Sequence, residues 1–312
     1  MCPSCRQQRR LSWRNETKLY RRDCSLTGKS VVSIYSPDKA FITYNQDDWW
    51  SDAYNPCDYG RDFDFSKTFF EQFADLQRVV PRITILNGFG ENADYGNHSY
   101  HNKNSYFVCS CGYVEDCYYC VTMSDCKNCV DCDKVMSSEN CYDAIDSRHC
   151  YGCMHILNCM NCSDILWGED LEGCSHCIGC KGVKNGSYYI LNEEVEKAAF
   201  SEIQKKLEQD IGYRREMYER FLKLKLQVPS KQLQIIHSEK VEQSDKIENS
   251  ENVSHCFDCI NARDMKYCTE MMMEYTADTS YDYDVWGENA SQMYEVHCSG
   301  AAKNILFSNV VW

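Results

Sequence analysis

Cysteine is the residue type best placed to do chemistry in this sequence. The chain has 23 cysteines in 312 residues, and 15 of them lie between Cys109 and Cys180. A thiolate is both a nucleophile and a soft metal ligand. The Cys-x-x-Cys spacing, repeated at Cys117, Cys126, Cys150, Cys159 and Cys177, can bring two sulfurs to one ion. Cys159, Cys162, Cys177 and Cys180 are the leading set. Eighteen residues separate the two pairs, so a coil of that length would superpose them into a tetrathiolate site for zinc or iron. Two other readings stand beside it: thiols stacked as small buried core residues, and disulfides between stacked turns. A second candidate opens the chain. Cys2-Pro-Ser-Cys5 has the spacing of a zinc knuckle, which needs two further ligands, and only Cys24 and Cys57 precede Cys109.

Charge limits the partners. The net charge of −14 argues against general nucleic-acid affinity, but residues 1–30 carry eight basic groups against two acidic ones. Arg6, Arg9, Arg10, Arg14, Arg21 and Arg22 could therefore hold phosphate beside a zinc knuckle. No run of 18 apolar residues and no secretory signal pattern occurs, so a cytoplasmic protein without a membrane span is expected. In that compartment thiols stay reduced or bind metal. No phosphate loop, dinucleotide fingerprint, Ser/His/Asp arrangement or His-Glu-x-x-His is present, so catalysis is not the first expectation. The oligomeric state is left open by the sequence.

These residues must be positioned by a repeat. Cysteines at 132, 141, 150, 159 and 177 step by nine with a vacancy at Gly168, and a parallel row runs through 153, 162 and 180. No helix has that period; parallel β-solenoids do, with two nonapeptides making a turn of about 18 residues. The expected fold is mainly β: a right-handed parallel β-solenoid with an N-terminal zinc-ribbon-like α+β module and one long inserted helix. Residues 1–60 form the basic module, including a strand over Val31–Tyr35. Residues 61–97 form a helical connector capped by Ser66. Residues 98–192 form the cysteine-rich solenoid. Residues 193–229 form one amphipathic helix capped by Asn192. Residues 230–251 read as a polar linker, and 252–312 as a second solenoid block. The acidic, aromatic stretch Tyr275–Trp286 could be a surface for a protein partner or further strand rungs of the repeat.

The runs Cys2-Pro-Ser-Cys5-Arg6, Leu26-Thr-Gly-Lys29, Tyr35-Ser-Pro-Asp-Lys39, Trp49-Trp50 and Tyr59-Gly-Arg-Asp-Phe-Asp-Phe65, with the repeats and Ser187-Tyr-Tyr-Ile-Leu-Asn192, carry a resemblance. The chain resembles an uncharacterised family of zinc-ribbon proteins with cysteine-rich repeats, known mainly from genomes of uncultured bacteria. The resemblance implies zinc in the N-terminal module. It also implies a second Cys-x-x-Cys before the Trp pair, where this sequence has Asn45 and Asp48; Asp48 is then a candidate oxygen ligand. The function expected from residues and resemblance together is a noncatalytic, zinc-binding scaffold for a protein partner. Thiolate metal storage in the repeat, and nucleic-acid binding through the basic module, are the alternatives.

Overall fold

The computed structural model describes residues 17–264 and 269–272, together with Cys5, Gln8, Asn15, Tyr294 and Asn304. The chain divides into two units, residues 15–230 and residues 231–312 with 1–14.

The first unit opens with an antiparallel hairpin, β1 (Tyr20–Asp23) and β2 (Ser30–Ser33). Gly28, at φ +70°, closes it by donating its amide to the Cys24 carbonyl. Strand β3 (Thr43–Tyr44) leads into α1 (Gln46–Trp50). Helix α2 (Phe69–Val79) starts at a capping box in which Thr68 and Glu71 satisfy each other's amides. Ser66, the expected cap, bonds Asp64 instead, and no residue of α2 is buried. Strand β4 (Arg82–Ile83) returns beside β3, and Arg82 stacks its guanidinium on Phe41, 3.8 Å from the ring centre.

The repeat follows as β5 (Asn87–Gly88), β6 (Ser99–Tyr100) and then an eight-stranded sheet. Its strands are β7 (Val121–Ser124), β8 (Asp133–Met136), β9 (Tyr142–Arg148), β10 (Met154–Leu157), β11 (Ser163–Glu169), β12 (Ser175–Lys181), β13 (Ser187–Ile190) and β14 (Glu193–Glu194). They lie in chain order and are parallel until β14 folds back antiparallel, covering the sheet edge. Every parallel pairing in this repeat joins residue i to i+12, as in Val121↔Asp133 and Met154↔Leu166. Isolated bridges carry the same offset back to Glu91↔Lys103. The chain returns over itself after twelve residues, not eighteen, and does so before residue 98.

A period of three lies beneath the twelve. From Val108 to Cys180 nearly every residue whose number divides by three is buried, including Cys111, Val114, Cys117, Cys120, Met123 and Cys126. The residue before each is left-handed: Asp116, Tyr119, Asp125, Asn128, Asp131, Asn140 and Asn158 have φ between 51° and 57° or close to it. Left-handed backbone turns the chain sharply, and Asn and Asp tolerate it best among residues with a Cβ. This is why Asp, Asn or His so often precedes Cys in the sequence. Each triplet also has a fixed hydrogen-bond scheme. The first residue donates forward, as Tyr106 N–H does to the Cys117 carbonyl, and the left-handed residue donates back, as Ser110 N–H does to Asn97. The inward amide takes an acceptor from the side chain one turn earlier: Cys117 N–H on Ser105 Oγ, Cys150 N–H on Ser138 Oγ and Cys159 N–H on Ser147 Oγ, each at 3.2 Å.

The long helix expected over 193–229 is two helices, α3 (Lys197–Gln209) and α4 (Ile211–Gln227). The chain leaves helical backbone at Asp210, whose carboxylate caps α4 by accepting the Tyr213 amide. Asn192 caps neither; its side chain bonds the backbone of Lys181. The pair lays Phe200, Leu207, Met217 and Phe221 over Trp167, Ile178 and Ile190. Lys181, Glu169 and Lys225 join sheet to helix by a buried ion-pair chain, and Lys181 Nζ also reaches Ser230 Oγ at 2.7 Å.

In the second unit, residues 230–251 are not a linker. They supply β15 (Ile235–Ile236), β16 (Glu239–Glu242) and β17 (Asp245–Glu248), followed by β18 (Glu251–Ser254), β19 (Phe257–Ile260) and β20 (Thr269–Met272). All pair in parallel at the same twelve-residue offset. Ser244, Ile247, Ser250, Val253, Cys256, Cys259 and Ala262 are the inward row. The acidic, aromatic stretch Tyr275–Trp286 lies outside the described residues. No helix among the described residues is long and apolar enough to cross a membrane.

Candidate functional site

The inward row of the first unit is a column of thiols. The twelve-residue offset superposes residues one turn apart, so Cys117, Cys129, Cys141 and Cys153 stack directly, as do Cys150, Cys162 and Cys174, and Cys120 and Cys132. All of these sulfurs belong to buried residues of one core cluster. No disulfide joins any described cysteine.

Backbone carbonyls and backbone amides hold these sulfurs. The thiol reaches the carbonyl two residues earlier, at 3.1 Å for Cys111 and 3.7 Å for Cys141. It also reaches the carbonyl nine residues later, as Cys120 does to Cys129 at 3.4 Å. The amide one turn later donates to it, as the Met123 amide does to Cys111 and the Cys153 amide to Cys141. Sulfur therefore fills the acceptor role that Ser105, Ser138 and Ser147 fill elsewhere in the row. The same thiols are packed beside one another in one core cluster.

This environment sets their acidity. Burial pushes the Cys111 thiol well above its ordinary range. Cys141, through its hydrogen bond to Cys129 and by burial, rises to about 11. At Cys117 a bond from Cys120 lowers the pKa, but the bond to Cys129 and burial raise it to about 12. Cys129, Cys162 and Cys180 go the other way: neighbouring thiols hold Cys129 and Cys180 below the ordinary value against burial, and Cys150 and Cys159 hold Cys162 down to about 3. Burial shields the whole row from solvent, the opposite of an accessible reactive thiol.

The four-sulfur set expected from an 18-residue turn does not form. Eighteen residues are one and a half turns, which places Cys159 and Cys162 on the opposite side of the coil from Cys177 and Cys180. Cys162 bonds Cys150 and Cys159, while Cys177 and Cys180 bond each other. Among the described residues no group of three or more His, Cys, Asp or Glu side chains has the arrangement of a metal site. His176 stands at a turn corner, 3.3 Å from Asp164 and stacked on Tyr188, and His155 is paired with Asp143 at 2.8 Å.

Of the N-terminal candidates, Cys24 and Asp48 meet. Cys24 is buried, its Sγ lies 3.4 Å from Asp48 Oδ2, and the Asn45 amide donates to the same sulfur at 3.3 Å. Cys57 sits exposed in a 3-10 turn over Pro56–Tyr59. Cys5 is exposed and belongs to the other unit; Cys2, Arg6, Arg9, Arg10 and Arg14 lie outside the described residues. Arg22 spends its guanidinium on the carbonyls of Ser36, Lys39 and Phe41, and Arg21 bonds the Tyr95 hydroxyl at 3.3 Å.

One feature of the outer surface was not anticipated. Tyr106, Tyr118, Val130, Tyr142 and Met154 stack at twelve-residue steps into an outward apolar stripe, and the same stripe continues through Leu166, Ile178 and Ile190 beneath the helix pair. Tyr106, Tyr118 and Tyr142 are each 41% exposed and Met154 39%, whereas Ile178 is buried. A twelve-residue reading frame would have aligned these residues in the sequence. No protein-family model matches the chain, and no relative was found for it among curated proteins.

Proposed function

We propose that this protein is a noncatalytic scaffold, a right-handed parallel β-solenoid of twelve-residue turns that offers one apolar side to an amphipathic helix of a protein partner. The observation that carries this reading is the continuity of the stripe. Its later part, Leu166, Ile178 and Ile190, is covered in this chain by Phe200, Leu207, Met217 and Phe221 of an amphipathic helix pair. Its earlier part presents the same outward column uncovered, with Ile145 and Leu157 exposed on the adjoining side. A stripe of this kind marks a site for helix docking. Where it meets the helices, a recess of about 320 Å³ is lined by Arg214 and Arg215 beside Trp167 and Tyr218, so acidic side chains flanking the partner's apolar face would be favoured there.

A photo-reactive amino acid at position 118 or 142, with controls at 124 and 137 on another side, tests it in living cells. The scaffold reading expects one and the same partner from 118 and 142, none from the controls, loss of the position-118 product in Tyr142→Lys, and loss of the position-142 product in Tyr118→Lys. Equal crosslinking from all four positions, or none, contradicts it.

Zinc in the N-terminal module is part of this reading. Cys24 and Asp48 supply two of the donor atoms zinc takes, and the Asn45 amide on Cys24 Sγ suits a thiolate there. The account expects about one zinc per chain, lost in Cys24→Ser. Nucleic-acid binding draws no support from Arg21 and Arg22, whose guanidiniums are engaged within the fold.

A further inference from the structure

We infer that the partner helix is α4 of a second copy of this chain, so that two copies pair about a two-fold axis with the α4 of each lying on the other's open stripe. The inference rests on the scaffold reading, whose partner it names. It starts from α4 being apolar on two faces. Met217 and Phe221 are buried on the sheet. Ile211, Tyr218, Leu222 and Leu226 follow one another at seven, four and four residues, so they fall on a single line along the helix, and they are 79%, 41%, 41% and 89% exposed. One exposed leucine is ordinary, but four large apolar side chains in line form a patch. From Ile211 to Leu226 the line is about 22 Å long at the helical rise of 1.5 Å per residue. The open stripe from Tyr106 to Met154 spans four steps of about 4.8 Å, roughly 19 Å, so the two match in length. The later part of the same stripe already takes a helix of this chain, as Met217 and Phe221 cover Ile178.

Charge selects the pairing. Helix α4 carries five basic residues against two acidic ones, whereas residues 104–154 carry eight acidic against three basic. Asp131 and Asp143 directly follow the stripe residues Val130 and Tyr142. On the helix, Arg215 lies four residues after Ile211, within the outer line, and Arg214 stands beside it over the Trp167 ring. Among the described residues, Arg214, Arg215 and Asp131 have no ion-pair partner. Packing α4 on its own copy would set cation against cation, while laying it on the stripe sets arginine against aspartate.

The place of α4 in the fold suits a closed pair. Its first turns share a recess with His155 and Trp167, and further along the Lys225 carbonyl accepts from Lys181 Nζ at 3.3 Å. The helix therefore runs away from the open stripe, from the turn of His155 toward that of Lys181. A two-fold axis across the coil between Asp131 and His155 brings each α4 back over the other copy's stripe, its start beside Asp131 and Asp143 and its end toward Tyr106. Each copy then gives and receives one helix, the reciprocity that an isologous interface has.

Sedimentation velocity on the reduced full chain over a micromolar dilution series tests the inference. The wild type is expected to dimerise. Arg215→Glu and Asp131→Arg should each weaken the dimer by about tenfold or more, and Arg215→Glu/Asp131→Arg should recover most of the loss, because opposite charges face each other again. Both residues are exposed, so native thermal melts are expected and are checked. In a mixture of light and isotope-labelled chains, a photo-reactive amino acid at position 142 should crosslink to α4 of the other chain. A monomeric wild type, a dimer unchanged by both single variants, or a double variant no better than either single overturns the inference. If a single variant fails to fold, the crosslink between light and labelled chains decides. A monomer whose positions 118 and 142 capture a different protein overturns this inference and leaves the scaffold reading standing, whereas capture of nothing overturns both.

Discussion

At the scale of single residues, the repeat makes two demands that explain its composition. An inward residue must be small and must accept a hydrogen bond from the amide one turn later, and Cys and Ser do both. Cys153→Ser should therefore be mild, whereas Cys153→Val leaves the buried Ile165 amide without its acceptor and should cost about 1–3 kcal/mol more in denaturant unfolding. Equal losses would show that the sulfur acts only as packing volume. The residue before it must tolerate left-handed backbone. Asn158, at φ 56°, also bonds Asp170 one turn later. Asn158→Gly should be nearly neutral, while Asn158→Val should lower stability by roughly 1–2 kcal/mol, because its branched Cβ crowds the backbone there. Much of this was legible in the sequence. The pairs Asp116-Cys117, Asn128-Cys129, Asn140-Cys141 and His149-Cys150 are the left-handed corner and the inward thiol seen as dipeptides. The frame was harder to read, because nine and twelve are both multiples of three. Following cysteines alone picks out a multiple and misses the Ser, Val and Ala that share the row.

At the scale of elements, two expectations failed for the same physical reason: polar residues did structural work. Residues 230–251 read as a linker because their inward row begins with Ser238, Ser244 and Ser250. Those hydroxyls accept the amides of Ser250, Cys256 and Ala262 at 3.0–3.1 Å, so serine builds the second block where cysteine builds the first. The helical segment breaks at Asp210 because an Asp one residue before Ile211 offers a cap that outweighs the continuity of the apolar pattern. Docking of that helix pair gives a pH prediction. Burial raises the Glu169 pKa, but hydrogen bonds from Lys181 and Lys225 outweigh it and hold the carboxyl below its usual value. A carboxylate depressed in the folded state stabilises fully above its unfolded pKa, about 4.3, and loses that contribution as pH falls through the folded value. Acid should thus loosen α3 and α4 from the sheet below about pH 4.3, seen as a change in Trp167 fluorescence, since Trp167 lies 5.3 Å from Tyr218 of α4. In Glu169→Gln that transition should vanish, and stability at neutral pH should fall by about 3–5 kcal/mol, because Lys181 remains buried without its counter-charge. A transition that survives in Glu169→Gln would place its origin elsewhere.

At the scale of the whole molecule, the first unit is a sequence of near-identical turns closed at one edge by an antiparallel strand, with helices over part of one side. Stability in such a stack comes from each turn packing on its neighbours, so the row of inward side chains is at once core and hydrogen-bond network. That every third residue from Val108 to Cys180 points inward is the claim on which the fold and the scaffold reading both depend. It is tested most directly by pulsed alkylation of the reduced, native protein, with each cysteine followed by mass spectrometry. The account predicts rapid labelling of Cys57, and labelling of the row from Cys111 to Cys180 only under conditions that unfold the coil. Rapid labelling of Cys129, Cys141 or Cys153 in the native protein would contradict it.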